Sequence, residues 1–357
     1  MKKSKNKSEW TELFTFIKLL LEQKLLLSDK DLNPTGDYFK INKITTENLY
    51  LDFVPLSDIK IKSINKTSKE EIEIDISSII NDVSLANILH KIKNGSGTFE
   101  INDFEVIQTA LGFSIVKGGN SSQKADIVLD IEHSTFVKEN EGFGIKSYLG
   151  SKPTLLNASG NTNFIFEING LDDSKIDKIN RISTKTKLKD KIEAITKNGG
   201  TFSYLKAEKD TMNYNLKMVD SVLPSIIGYL LITFYGNRIS KLSDIVEHLC
   251  NNTNILTHLD IDDKAMLINK LKKFLVDILL GFFAGTKWDG SYESHGTIVV
   301  KENGNLITFH IIDIENLKDY LFENIKLDTP STSRHGFGAI IQDKTKNYFK
   351  LNLQLRF

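Results

Sequence analysis

A mixed α+β fold is what this 357-residue sequence predicts. Three patterns carry that reading. Apolar residues recur at helical spacing near the N-terminus and through the third quarter of the chain. Between them, and again at the end, short runs alternate apolar and polar residues with the period of a strand. Clusters of Gly, Asn and Ser punctuate the runs as turns. Apolar side chains make up 40% of the residues, so a substantial core can be buried and global disorder is excluded.

Taken in order, Ser8–Lys24 reads as an amphipathic helix, with Trp10, Leu13, Phe14, Ile17, Leu20 and Leu21 on one side and Ser8 as the N-cap. Ser28–Gly36 is a turn-rich break containing Pro34. From Phe39 to Ile76 the runs IKIKSI and EIEIDI read as strands. Ser84–Asn94 reads as a short helix stopped at Gly95. Strands dominate from Ile127 to Ile168, and Lys175–Asn198 returns to helix, ending at the Gly199–Gly200 pair. Met218–Tyr235 and Ser243–Leu280 are mostly helical, most strongly over Asp262–Leu279. GTIVVKENGNLITFHII reads as a hairpin turning at Glu302–Asn305, and KNYFKLNLQLRF as a final strand. No repeat or flexible linker interrupts the chain. The expected organisation is residues 1–95 as an N-terminal helix and β-rich region, 96–210 as the core, and 211–357 as a helical segment with a C-terminal β region, all in one body.

Formal net charge is zero, so contact with nucleic acid must come from local clustering of Lys and Arg. The one cysteine, Cys250, excludes an intramolecular disulfide framework and a cysteine-based zinc site, and fits a reducing cytoplasm. The basic start MKKSKNKSEW is followed by no apolar signal segment. The most apolar stretches, Leu223–Tyr235 and Phe274–Ala284, are too short to span a bilayer and read as buried core helices. None of the seven histidines has metal-ligand spacing, and His133 reads as a satisfied strand or loop residue. No P-loop, dinucleotide fingerprint or G-x-S-x-G elbow is present.

One stretch points to chemistry. Asp126 opens a β-type run and Lys146 lies twenty residues later in a second one. Residues two apart on a strand share a face, so Asp126, Val128 and Asp130 point one way and Ile127, Leu129 and Ile131 the other. On the partner run Gly144 and Lys146 share a face, with Ile145 opposite. An acid and a lysine on neighbouring strands are what metal-dependent phosphodiester hydrolysis uses. A carboxylate holds the dication that activates water, and the lysine stabilises charge on the phosphate. In the common form of this motif the residue two before the lysine is an acid; here it is Gly144. The spacing alone also suits an acid at a strand end and a solvated lysine.

Three separated segments make the reading specific. GFGIKSYLGSKPTLLNASGNTNF (Gly142–Phe164) resembles the catalytic-core signature of the HpaII-type restriction endonucleases. NKSEWTELFTFIKLL (Asn6–Leu20) resembles that family's opening, and LDTPSTSRHGFGAI followed by KLNLQLRF its C-terminal signature. The resemblance spans essentially the whole chain. It implies a PD-(D/E)XK-like core, a mixed central sheet flanked by helices with helical and hairpin additions, and a type II restriction endonuclease using Mg2+. It makes Asp126 the metal ligand and Lys146 the catalytic lysine, and leaves the second acid in question. Glu9 or Glu12 of the first helix fits that role: Glu9 lies nearer the edge of the apolar stripe, and Glu12 better matches the glutamate-then-aromatic pattern of related helices. Helix-dipole stabilisation explains the same two residues. The implied substrate is double-stranded DNA at a short palindrome, with CCGG as the family target, a homodimer on DNA, and a cognate methyltransferase protecting the host. The rival readings are a DNA-binding protein whose nuclease site has decayed, and a structure-selective repair nuclease.

Candidate DNA contacts follow. Lys175–Lys197 carries eight Lys/Arg against three acids, a charge excess suited to a phosphate backbone and equally to a solvated helix face. Asn157, Ser159, Asn161 and Asn163 form a polar loop after the catalytic strand, with Lys152 just before it; amides there can read base edges, and turn chemistry explains them too. Arg334 and His335 in STSRH place an arginine for bidentate guanine readout. Lys287, Trp288 and Asp289 form a further polar-aromatic turn.

Overall fold

Asn6, not Ser8, caps the first helix in the computed structural model, which describes residues 4–54, 60–112, 124–251, 253–344 and 346–357. Helix α1 (Lys7–Glu22) starts with a capping box. Asn6 Oδ1 accepts the Glu9 N–H at 3.0 Å, and the Glu9 carboxylate accepts the Asn6 N–H at 2.8 Å. Its apolar side, including Trp10, Phe14, Ile17 and Leu20, is buried. Gln23, in the left-handed region at φ 51°, ends the helix and turns the chain into the first long sheet.

The contacts divide the chain into two units, each discontinuous in sequence. The first comprises Met1–Pro153, Leu279–Gly281 and Tyr292–Tyr320. Its sheet uses β1 (Lys24–Ser28), β2 (Pro34–Thr45), β3 (Leu49–Phe53), β4 (Lys60–Asn65), β5 (Glu71–Asp75), β6 (Ile127–His133), β7 (Phe136–Ser147), β8 (Gly296–Val300) and β9 (Leu306–His310). The order is β1-β9-β8-β7-β6-β2-β3-β4-β5, and β1 pairs with β2 as well. That extra pairing closes six strands into a ring, which satisfies edges that would otherwise be exposed, and leaves β3–β5 as an antiparallel extension. β7 pairs with β8, and β9 with β1, in parallel; the remaining neighbours are antiparallel. Ile59, first residue of the IKIKSI run, lies outside the described residues, as does Asn252 within the expected Ser243–Leu280 helical stretch.

Alternation on β6 holds as the sequence suggests. Ile127, Leu129 and Ile131 join the core with Phe143 of β7, the apolar side of α1, and Ile88 and Phe104 from the helices Asp82–Asn94 and Asn102–Leu111. Each such fully buried side chain contributes about 1.5–3 kcal/mol. The helix Asn102–Leu111 was not apparent from the sequence, because its apolar positions Phe104, Ile107 and Leu111 make a narrow stripe without a side-chain N-cap.

The second unit comprises Thr154–Ile278, Phe282–Ser291 and Leu321–Phe357. Its antiparallel sheet runs Thr201–Ala207, Asn163–Asn169, Lys346–Asn352, Ile340–Asp343. The apolar stretch expected as a core helix is Leu223–Asn237, buried on most of its circumference. A Cβ at Gly228 would stand 2.7 Å from the Tyr204 ring, so glycine permits that close helix–sheet approach. The other apolar stretch is helical only to Leu280, with Phe282 beyond the helix end still fully buried. The single helix expected over Lys175–Asn198 is two, Ile176–Asn180 and Lys187–Lys197. The break falls where the Thr184 and Thr186 hydroxyls bond to the Asp190 carboxylate, a local side-chain alternative to helix. The final strand stops at Asn352; Leu355–Arg356 pairs separately with Thr154–Leu156 and Lys326–Leu327. Among the described residues no single helix is long and apolar enough to cross a membrane.

A buried charged cluster sits among the strands of the first unit. His310, 1% exposed, packs its ring against Phe39 and Phe143. Its Nδ1 accepts the Ile312 N–H at 3.3 Å, so the ring proton is on Nε2, which donates to the Glu141 carboxylate at 3.0 Å. Burial holds the His310 pKa below the ordinary imidazole value, with Glu141 pulling it back up and His295 and Lys138 pushing it down. As pH falls below about 6.5 the unfolded histidine takes up a proton that the folded one refuses, so stability drops with pH. We expect His310→Gln, which keeps a donor for Glu141, to lose less stability than wild type between pH 7 and 5. Thermal melts at the two pH values measure this; equal losses in both proteins would show that His310 contributes nothing to the acid limb.

Candidate active site

Asp126 stands just before β6, and two bonds lock it to β7. Its N–H donates to the Phe143 carbonyl at 2.8 Å, and its Oδ2 accepts the Ile145 N–H at 2.8 Å. The acid is thereby fixed one residue from Lys146, while Ile145 packs on the core behind it. Lys146 is half-buried. Burial pushes its pKa below the usual lysine range, and the Asp126 charge opposes that shift.

A third charged group was missed by the sequence reading. Lys124 has its pKa pushed down to about 8, first by burial and then by the neighbouring Lys146 charge, with Glu293 opposing. Its N–H donates to the Glu293 carboxylate at 3.2 Å. The signal available in the sequence was proximity alone, since Lys124 lies two residues before Asp126 in the segment leading into β6. Two lysines beside one aspartate make a locus that favours a bound anion, and desolvation strengthens that preference.

Gly144 is tightly enclosed. A Cβ there would lie 3.1 Å from the Lys124 carbonyl oxygen, and the Gly144 carbonyl accepts the Thr297 hydroxyl at 3.1 Å. A side chain starting there would press on the main chain at Lys124. Asp130, on the face of Asp126, is engaged elsewhere: its Oδ1 accepts the Asn140 N–H at 2.8 Å, closing a bulge in β7, and it pairs with Lys43.

The two helix glutamates differ. Glu9 is exposed and its carboxylate closes the capping box. Glu12 is half-buried on α1, and its neighbour Thr11 accepts a bond from Ser147, one residue beyond Lys146, at 3.3 Å. Among the described residues no cluster of three or more His, Cys, Asp or Glu forms a ready-made metal site. The Asp126 carboxylate is the hard oxygen donor placed at this locus, the kind of ligand a dication takes alongside water and substrate phosphate.

The candidate DNA contacts are more dispersed. Lys152 is exposed after β7. In the second unit Asn157 is exposed and Asn161 half-exposed, while Ser159 caps a turn by accepting the Asn161 N–H. Asn163 is 2% exposed and its amide is engaged inside the fold, donating to Glu208 and the His335 carbonyl and accepting from Asn352. Arg334 is exposed and His335 half-exposed on a four-residue helix, Thr332–His335. In the 287–289 turn Trp288 is buried, its indole N–H donating to the Ser291 carbonyl, and Lys287 lies 4.4 Å from the Tyr214 ring centre. His133 is a strand-end histidine bonded to Thr135 and packed on Phe136.

Comparison with known proteins places this arrangement. The family described as HpaII restriction endonuclease matches residues 6–357. The type II restriction enzyme HpaII of Haemophilus parainfluenzae is 35% identical over 359 residues, covering 99% of this chain and 98% of that protein. No solved structure matches the chain. With the match running through Asp126, Lys146 and both terminal segments, the chain belongs to the HpaII restriction endonuclease family, whose members are site-specific DNA-cleaving enzymes.

Proposed function

We propose that this enzyme hydrolyses both strands of DNA at the palindrome CCGG, using Mg2+ held by Asp126 in a PD-(D/E)XK-like core. The observation that carries the reading is the bond from the Ile145 N–H to Asp126, which sets the acid beside Lys146 on the surface opposite the core. The setting of β7 supports the core assignment: Lys146 lies on a strand with an antiparallel partner, β6, on one side and a parallel one, β8, on the other.

Asp126 supplies the anchoring carboxylate and Glu12 the second. Glu9 is the weaker candidate because its carboxylate is occupied at the helix cap. Held by Asp126 and Glu12, a dication would lower the pKa of a bound water and offset charge developing on the phosphate. Lys146 Nζ faces the phosphate, whose negative charge favours the protonated amine against the desolvation that opposes it. Lys124 adds a second positive charge at the same locus. A double-strand cut needs two such sites, so a homodimer on DNA is the expected assembly, and a cognate methyltransferase the expected companion.

Incubation of the purified enzyme with magnesium and unmethylated plasmid should give discrete fragments, and sequencing their ends should read CCGG. Binding without cleavage would mean a decayed nuclease, and ragged digestion of ends or flaps a repair enzyme. Asp126→Asn, which keeps an acceptor for the Ile145 N–H, should melt near wild type yet cleave roughly 10²–10⁴-fold more slowly. Glu12→Gln should slow cleavage at least about tenfold, whereas Glu9→Gln, still able to close a capping box, should not; the reverse order would exchange the two roles. Gly144→Ala should cost about 1–3 kcal/mol of stability through the close Lys124 carbonyl. Gly144→Asp should not raise activity, and a gain would show that the missing acid can be restored in place.

A further inference from the structure

The second unit contains a cleft of about 420 Å³ whose wall is basic. Lys185, Lys187 and Lys189 reach it from the start of the helix Lys187–Lys197 and the turn before it, and Arg238 from the end of the helix Leu223–Asn237. Facing them is a run of hydroxyls from Thr329 to Ser333, and no acidic side chain among the described residues lines the cleft. The nearest acid in sequence, Asp190, is bonded to the Thr184 and Thr186 hydroxyls, and Asp328 pairs with Arg356. The lining is therefore cationic, with Asp190 outside it still close enough to interact with the Arg238 and Lys189 charges.

The floor is different in kind. Phe234 and Tyr235, both largely buried, are its aromatic lining residues, and the Tyr235 hydroxyl donates to the Asn352 carbonyl at 2.9 Å. A second concavity of about 290 Å³ adjoins the first, and both share Lys187, Thr332 and Ser333. The Lys187 Nζ bond to the Thr332 hydroxyl, 2.7 Å, joins residues common to both, and in the second concavity Lys191 is buried with its ammonium donating to the Gly338 carbonyl at 2.8 Å. The next lysine along, Lys191, is held below its usual pKa by burial and by the Lys187 charge, so positive potential is crowded here.

We propose that this cleft is a docking site for the DNA sugar–phosphate backbone, separate from the Asp126–Lys146 locus and blind to base sequence. Lysine, arginine and hydroxyl donors suit phosphate oxygens; an apolar floor suits the deoxyribose between them. Two adjoining depressions along one basic wall suit a repeating polyanion better than a single small anion. The sequence run Lys175–Lys197 and the STSRH segment, distant in the chain, meet at this place. The proposal rests on DNA being the substrate and deepens it: this surface supplies affinity, not sequence discrimination.

The test uses the full-length enzyme with calcium in place of magnesium and labelled duplexes, one containing CCGG and one scrambled. The triple variant Lys185→Gln, Lys189→Gln, Arg238→Gln spares Lys187, whose bond to Thr332 is structural. Binding is followed by anisotropy across a salt series, and a thermal melt matching wild type establishes folding. Removing three phosphate contacts should lower the salt slope of log K by about 2–3 and weaken both duplexes by a similar factor, roughly 10- to 100-fold. The charge-conserving triple Lys185→Arg, Lys189→Arg, Arg238→Lys should keep the wild-type slope. An unchanged slope in the glutamine triple, or weakening of the CCGG duplex alone, would overturn the proposal while leaving plasmid cleavage by wild type intact. A wild type that neither binds duplex nor cuts plasmid would instead overturn the DNA reading on which the cleft depends.

Discussion

The parallel pairing of β7 with β8 is the constraint on which the rest of the first unit hangs. It sets Lys146 beside Val299 and Gly144 beside Thr297, and so fixes what stands on either side of the lysine strand. Parallel neighbours cannot be joined by a tight turn. The chain leaves β7 at Ser147 and returns to β8 at Gly296, and most of the second unit is built from that excursion. On the β8 side the Thr297 hydroxyl donates to the Gly144 carbonyl, while the Lys124 carbonyl, from the segment before β6, lies close to where a Cβ at Gly144 would stand.

The charge arrangement lies beside Gly144. Asp126 gives one oxygen to the Ile145 N–H, while Lys146 and Lys124 are both disfavoured as cations by burial. A phosphate entering this locus would add to the opposing charge that Asp126 and Glu293 already place beside the two lysines. A phosphate bound there would favour the charged form of both lysines, opposing the effect of burial. The buried Glu141–His310 pair solves a similar problem internally, with a carboxylate answering a histidine inside the sheet.

Much of this was legible in the sequence, for physical reasons. Period two placed Ile127, Leu129 and Ile131 on the core and Asp126 and Lys146 opposite, because strand alternation is set by backbone geometry alone. The Asn303–Gly304 turn marked its hairpin, and Gly304 has the positive φ, 85°, that such a turn needs. The all-round apolar stretch from Leu223 marked a buried helix. What escaped depends on contacts distant in sequence or on side chains competing locally. Asn6 out-competed Ser8 because Glu9 could reach back to it, and Thr184 and Thr186 broke a helix by binding Asp190. The ring closure of β1 on β2, the parallel partner of β7 and the discontinuous units carry no local signature. Lys124 was in view two residues before Asp126 and overlooked, because the segment leading into β6 carries no strand periodicity to place it. Asn163 had the right residue type for base readout, but burial and three partners were invisible without the fold.

The most direct measurement of the central claim is single-turnover cleavage by Lys146→Met, made alongside duplex binding by the same protein. Methionine fills the half-buried space without the charge. If the Asp126–Lys146 face is the cleaving site, the variant should bind duplex within about tenfold of wild type, because most backbone charge lies elsewhere, and its cleavage should fall by roughly 10²-fold or more. Cleavage at the wild-type rate by a folded, duplex-binding Lys146→Met enzyme would contradict the account and move the chemistry to another part of the chain.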